Sequence, residues 1–267
     1  MDAILTLNGR GLSLRGLDTG GSGFPVVFLH GAMGRGSCWQ GVMEGLSPDY
    51  RCIALDQRGH GGSDKPLQGY TREDFVADLA AVVDQLGLAR FAIVGHSTGA
   101  LNAWVYAADH PERVAALVLE DMHAEPKGTA YLDGWRTWMD AWPVPFGSQE
   151  DVRRHFADLR PSLGDYFTRV FEETSDGWRP VFRKDTILQT IEGNEARPWW
   201  QELRRVGCPA LVLKGARSEF PLEEAHRMAE TLPKGRLAVI DNAHHTVHVD
   251  QPEAYLSTLR AFLREVL

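Results

Sequence analysis

The chain has 267 residues, 43% hydrophobic and 24% charged, a mix that belongs to a folded globular protein and excludes disordered, fibrous and membrane-spanning classes. Its 28 basic and 36 acidic residues leave a formal charge of -8, so there is no general basic field to hold nucleic acid or anionic lipid. Cys38, Cys52 and Cys208 stand far apart with no Cys-x-x-Cys pair, which argues against a disulfide framework or zinc cage and fits a reducing compartment. The opening Met1-Asp2-Ala3-Ile4-Leu5 has an acid where a secretory leader carries a base. No run approaches the roughly 18 apolar residues of a membrane span, and a cytoplasmic protein is expected.

In chain order, near-continuous apolar runs at Pro25–His30, Arg51–Asp56, Phe91–Gly95 and Ala115–Glu120 predict strands of a parallel sheet covered on both faces. Between the second and third, Thr71 caps a helix with Asp74 three residues on. Phe75, Val76, Leu79, Val82, Val83 and Leu86 make one apolar stripe, and Gly87 stops it. Strand, helix, strand is a βαβ unit. A second block repeats the alternation: a strand at Pro209–Lys214, a helix near Leu222–Leu232, a strand at Arg236–Ile240 and a last helix at Pro252–Val266. Residues 122–205 lose the strand pattern and hold Trp135, Trp138, Trp142, Trp178, Trp199 and Trp200. This reads as an inserted helical region whose aromatics either glue helices to the sheet or line an apolar pocket.

The sharpest chemical signal is Gly95-His96-Ser97-Thr98-Gly99, between an apolar strand and a helix. Small residues on either side of a serine allow a strained strand-to-helix turn that leaves the hydroxyl exposed. A helix N-terminus beneath Ser97 favours developing negative charge. A serine hydroxyl needs a base to take its proton and an acid to orient that base. The string Asp241-Asn242-Ala243-His244-His245-Thr246-Val247-His248 follows the last strand, at the sheet edge where open α/β sheets bind ligands. His244 and His248, four apart, also raise a metal site, but the segment reads as loop and no carboxylate shows ligand spacing.

With the early strand end His30-Gly31, these motifs resemble the α/β-hydrolase superfamily, and the similarity runs over nearly the whole chain. The resemblance implies a mostly parallel, doubly wound sheet with an inserted helical cap. It makes the backbone N–H groups of Ala32 and Thr98 the oxyanion hole and gives Asp56–Asp64 a mainly structural role. Counting back from Pro252, it places the catalytic histidine at His245 and a supporting histidine at His248, with His244 where the family usually has glycine.

The acid departs from the common pattern. Most relatives carry aspartate three residues beyond the glycine ending the penultimate strand, and here that position is Ser218. Glu219 could serve by a shift of one residue. A minority branch of small esterases and thioesterases resembles this chain more closely, with its acid after the strand that follows the nucleophile helix and a serine in the late loop. Asp121 matches that acid. Its neighbour Glu120 would point the opposite way if the strand still alternates.

The expected organisation is a core of residues 1–121 and 206–267 with a cap at 122–205. The expected activity is a cofactor-independent, metal-free serine hydrolase with the triad Ser97, His245 and Asp121. Its substrates would be small to medium apolar carboxylic esters or thioesters, contacted by Met33, Trp138 and Trp142, with neither nucleic acid nor membrane as partner. Serine at the elbow excludes dehalogenase and epoxide-hydrolase chemistry, which needs a carboxylate there. A lactonase, a carbon–carbon bond hydrolase or a ligand-binding receptor on the same fold remain as alternatives.

Overall fold

A computed structural model describes residues 3–267; Met1 and Asp2, part of the segment read against a leader, lie outside the described residues. The chain opens with the hairpin β1 (Ala3–Gly9) and β2 (Leu12–Asp18), then β3 (Phe24–Leu29), a 3-10 turn at Gly36–Trp39, α1 (Gln40–Leu46), β4 (Tyr50–Asp56) and α2 (Arg72–Gln85). Next come β5 (Phe91–His96), α3 (Thr98–Asp109) and β6 (Val114–Glu120). A long excursion follows, with α4 (Thr129–Asp140), α5 (Gln149–Ala157), α6 (Pro161–Thr168), β7 (Phe171–Thr174), β8 (Gly177–Pro180), α7 (Lys184–Asn194) and α8 (Trp200–Arg205). The chain closes with β9 (Ala210–Gly215), α9 (Leu222–Thr231), β10 (Gly235–Ile240), α10 (Val247–Asp250) and α11 (Pro252–Val266). No helix among the described residues is long and apolar enough to cross a membrane.

Both sequence blocks join one eight-stranded sheet of order β1-β2-β4-β3-β5-β6-β9-β10. It is parallel except at the β1–β2 edge. Alternation along each strand splits the core into two layers. Val27, Leu29, Ile53 and Leu55 pack with Leu79, Trp104 and Leu203 of α2, α3 and α8. Val26, Phe28, Cys52 and Ala54 pack with Met43, Leu46, Leu259 and Leu263 of α1 and α11 on the other face. Burying strands on both faces is what their unbroken apolar runs require.

The hairpin β1–β2 has no counterpart among the expected strands. Leu5, Leu7, Leu12 and Leu14 alternate with polar residues around Arg10 and Gly11, both at positive φ (46° and 85°), a two-residue hairpin turn. Its leucines carry little intrinsic strand preference, which hid the pattern. The excursion between β6 and β9 is likewise not all helical, since β7 and β8 pair as a small antiparallel sheet. Four-residue strands whose positions are exposed or half-buried, all but Phe171, leave no readable periodicity.

The expected cap on α2 is present: Thr71 Oγ1 accepts from Asp74 N–H at 3.3 Å while Asp74 accepts from Thr71 N–H at 3.1 Å. The segment after β4 acts as a clamp. Asp56 accepts from Gly36 N–H at 2.6 Å and Gly62 N–H at 2.7 Å, and Arg58 makes a buried two-pronged pair with Asp78 at 2.6 and 2.7 Å. Gly61 has φ of 52°, and a Cβ there would fall 2.1 Å from Asp56 Oδ2. Glycine is required by both the conformation and the close approach.

Candidate active site

Ser97 lies between β5 and α3 with φ of 53° and ψ of -125°, a strained conformation of the kind found at functional turns. The sequence permits it through close approaches that only glycine allows. A Cβ on Gly95 would sit 2.4 Å from Gly99 O, and one on Gly99 would sit 2.3 Å from Leu29 O. Gly31 meets the elbow from the other side, where a Cβ would stand 3.1 Å from Ser97 Cβ.

His245 lies on the loop between β10 and α10, and its ring Nδ1 is 2.9 Å from Asp121 Oδ1. Asp121 follows β6 directly and turns at φ of 49°. Its other oxygen accepts from Gly215 N–H at 2.9 Å. The Asp121 side chain is 0% exposed and that of His245 is 49% exposed, so the acid is shielded while the ring keeps a face toward solvent. Glu219 sits exposed on the cavity rim instead. At the position of the usual acid, Ser218 Oγ lies 3.3 Å from the Lys214 ammonium and 3.3 Å from Phe220 N.

Glu120 does face the other way. It is fully buried and accepts from His248 N–H at 3.1 Å and from His248 Nδ1 at 2.8 Å. Trp39 stacks on that imidazole at 4.3 Å. His96, beside this pair, lies with Nε2 2.9 Å from His245 O. Burial pushes the His96 pKa down to about 3, so its ring is neutral and leaves the carboxylates to His245 and His248.

Ser97, His245 and Asp121 all line one cavity of about 620 Å³, together with Ala32 and Met33. Thr98 opens α3, is buried, and accepts through Oγ1 from Asn194 Nδ2 at 2.9 Å. Trp138 is on the cavity wall with Tyr131 and Trp135. Trp142, expected beside it, is not among the lining residues. It is packed edge-on to Phe156 and Phe167, at 5.0 and 5.7 Å between ring centres, inside a separate aromatic core formed by the excursion. The two indoles meet edge-on at 5.0 Å and share Phe156 and Phe167, but Trp142, just past the end of α4, also packs on Phe171 and Phe182 and is buried, whereas Trp138 turns toward Trp135 and the cavity.

The wall also carries groups the sequence reading missed, chiefly Arg160, with Lys127 and Arg217 nearer the rim. Arg160 precedes α6 and donates from Nη2 to Thr246 Oγ1 at 2.8 Å and from Nε to Ser162 Oγ at 3.1 Å, with Asp250 3.4 Å away. Its Nη1 makes no hydrogen bond among the described residues. Burial lowers its pKa, opposed by Asp250 and Asp121. Nothing in a lone Arg-Pro pair announces a pocket residue, because its placement depends on a loop 86 residues away.

Residues 25–252 match the family model described as the alpha/beta hydrolase fold. Among curated proteins, the chain is 28% identical to 2-(acetamidomethylene)succinate hydrolase of Mesorhizobium japonicum, covering 91% of this chain and 89% of that one. It is 30% identical to a Bacillus subtilis protein bearing the provisional name 2-succinyl-6-hydroxy-2,4-cyclohexadiene-1-carboxylate synthase, with 90% of each chain covered. A solved structure of E-2-(acetamidomethylene)succinate hydrolase superposes with a TM-score of 0.89 at 26% identity, over 99% of this chain and 100% of that chain.

Proposed function

The chain belongs to the α/β-hydrolase fold family, and on that premise we propose that it is a serine hydrolase cleaving carboxylic esters or thioesters through an acyl-enzyme. The observation that carries the reading is the buried Asp121 carboxylate on His245 Nδ1, 2.9 Å apart, in the cavity that also receives the strained Ser97. Asp121 holds the proton on Nδ1 and leaves Nε2 free as base. Ser97 Oγ attacks the carbonyl carbon while His245 takes its proton. The N–H groups of Ala32 and Thr98 receive the oxyanion, and His245 then protonates the departing alcohol or thiol. Water repeats the sequence on the acyl-enzyme and releases the acid. Residues 122–205 act as a cap over this site, its aromatic core holding Trp138 at the cavity wall and its last helix docked on α3. A fluorophosphonate probe is expected to label the protein at Ser97, with Ser97→Ala unlabelled. Folded parent protein that takes no label would overturn the reading. Lactones and activated carbon–carbon bonds suit the same groups and belong on the substrate panel.

Arg160 favours a narrower substrate, an ester with an apolar portion on the aromatic wall and a carboxylate at the basic side. The two named relatives are consistent with this, since a succinate or a succinyl carboxylate appears in each name. A hydrogen bond to a charged group contributes about 1.5–3 kcal/mol. Arg160→Met is therefore expected to raise KM about 10- to 100-fold for a monoester of a dicarboxylic acid and to leave the neutral ester of equal length nearly unchanged. Equal effects on both esters would reduce Arg160 to a tie between α6 and the histidine loop.

A further inference from the structure

Arg72, the first residue of α2, is 2% exposed and has no carboxylate within ion-pair distance among the described residues. Burial pulls its pKa down to about 9, with Glu73 opposing, so it remains a cation at neutral pH. An unpaired buried charge is costly against any neutral side chain of similar size. What the guanidinium does with its donors is specific. Nη1 donates to Asn102 Oδ1 and Nη2 donates to Asn194 Oδ1, and each asparagine then passes its own amide N–H onward.

One branch runs from Asn194 Nδ2 to Thr98 Oγ1 at 2.9 Å. The other runs from Asn102 Nδ2 to Gln57 Oε1 at 2.6 Å, and from Gln57 Nε2 to His30 O at 2.7 Å. Gln57 N–H also donates to His30 Nε2 at 3.0 Å, which leaves Nδ1 as the donor to Gly31 O at 2.7 Å. The branches end beside the two backbone segments that present Ala32 and Thr98. The donor directions admit one arrangement, because flipping either asparagine would aim two donors at each other. A planar fork can hold two acceptors in fixed directions at once, and a lysine ammonium cannot.

We propose that Arg72 is a positioning residue that locks the two halves of the oxyanion hole in register, one through Asn194 and the other through Asn102 and Gln57. Its catalytic consequence rests on the serine-hydrolase reading. The tie spans α2, α3 and α7, so it also fixes the end of α7 against the nucleophile helix.

The test compares Arg72→Gln, Arg72→Lys, Asn102→Ala and Asn194→Ala by ester kinetics and by the backbone amide resonances of Ala32 and Thr98. Outright removal of an oxyanion donor costs about 10²–10³ in kcat, and misplacement less, so Arg72→Gln is expected to lose about 10- to 100-fold in kcat with KM within about threefold. Both amide resonances move in this variant, Thr98 alone moves in Asn194→Ala, and Ala32 alone in Asn102→Ala. Arg72→Lys does not restore kcat. Unmoved amides, an unchanged kcat, full rescue by lysine, or a KM that climbs as kcat falls would each overturn the proposal. Where Arg72→Gln does not fold, the two asparagine variants decide it by the same criteria, each being required to move its own amide and lower kcat. A parent inert to both esters and fluorophosphonate overturns the hydrolase reading instead, and the amide resonances then decide the tie by themselves.

Discussion

Asp121→Asn is expected to lower kcat by about 10⁴, the scale seen when a triad acid is neutralised, with KM little changed and Glu219→Gln close to the parent. The reason lies in the second carboxylate oxygen. Oδ2 accepts from Gly215 N–H, so the oxygen of an asparagine stays there and its NH2 group faces His245 Nδ1. That nitrogen must then be the acceptor, which moves the imidazole proton to Nε2 and removes the base that Ser97 needs. Asparagine nearly matches aspartate in shape and the Asp121 side chain is shielded from solvent, so the fold should persist while the tautomer is wrong. Steady-state kinetics on any accepted ester, with a thermal melt to confirm folding, check this. A large loss in Glu219→Gln and a small one in Asp121→Asn would move the acid to the late loop.

The second large effect is on stability. Taking the partner from a buried carboxylate costs about 3–5 kcal/mol, because its charge is left without compensation, and His248→Ala does this to Glu120. At about 2–4 °C per kcal/mol for a chain of this size, Tm should fall by about 10 °C. The pH dependence has a definite sign. Burial raises the Glu120 pKa, but its contacts with His248 outweigh it and the folded value lies below the ordinary 4.5. The unfolded chain therefore binds the proton first, so the contribution is present above pH 4.5 and lost as pH falls through the folded pKa. Melts of the parent between pH 7 and pH 3 should show that loss, and Glu120→Gln should show a shallower slope. A parent whose Tm is flat over that range would contradict the assignment.

Local signals were sufficient for much of the molecule. The strands β3, β4, β5, β6 and β9 announce themselves because both faces are buried, and α2 carries its own capping box and stop. The elbow is legible for the same reason: Gly95 and Gly99 are demanded by backbone packed within 2.4 Å of where a side chain would begin. The hairpin β1–β2 was not legible because its apolar face is built of leucines, which carry little strand preference, and β7–β8 because four-residue, half-exposed strands leave no apolar face to read. Trp138 and Trp142 read alike as sequence. Both pack on Phe156 and Phe167, and only the further closure of Phe171 and Phe182 over Trp142 separates a core indole from a cavity one.

By itself, the sequence marked the core strands along the chain, the glycine-flanked turn at Ser97 and the histidine-rich segment after the last strand, because these depend on neighbours within a few residues, while the choice of His245 within that segment came from resemblance. It left the choice among Glu120, Asp121 and Glu219 to resemblance. Tertiary structure decided which carboxylate meets which imidazole, since Glu120 and Asp121 project to opposite sides and the histidine loop reaches them from 124 residues away. It also decided what surrounds the site: a buried arginine bound to two asparagines 30 and 122 residues distant, and a second arginine on the cavity wall. Contacts of that kind follow from burial, which excludes water and obliges each polar group to find whatever partner the fold brings beside it. No local pattern of residue types encodes that partner.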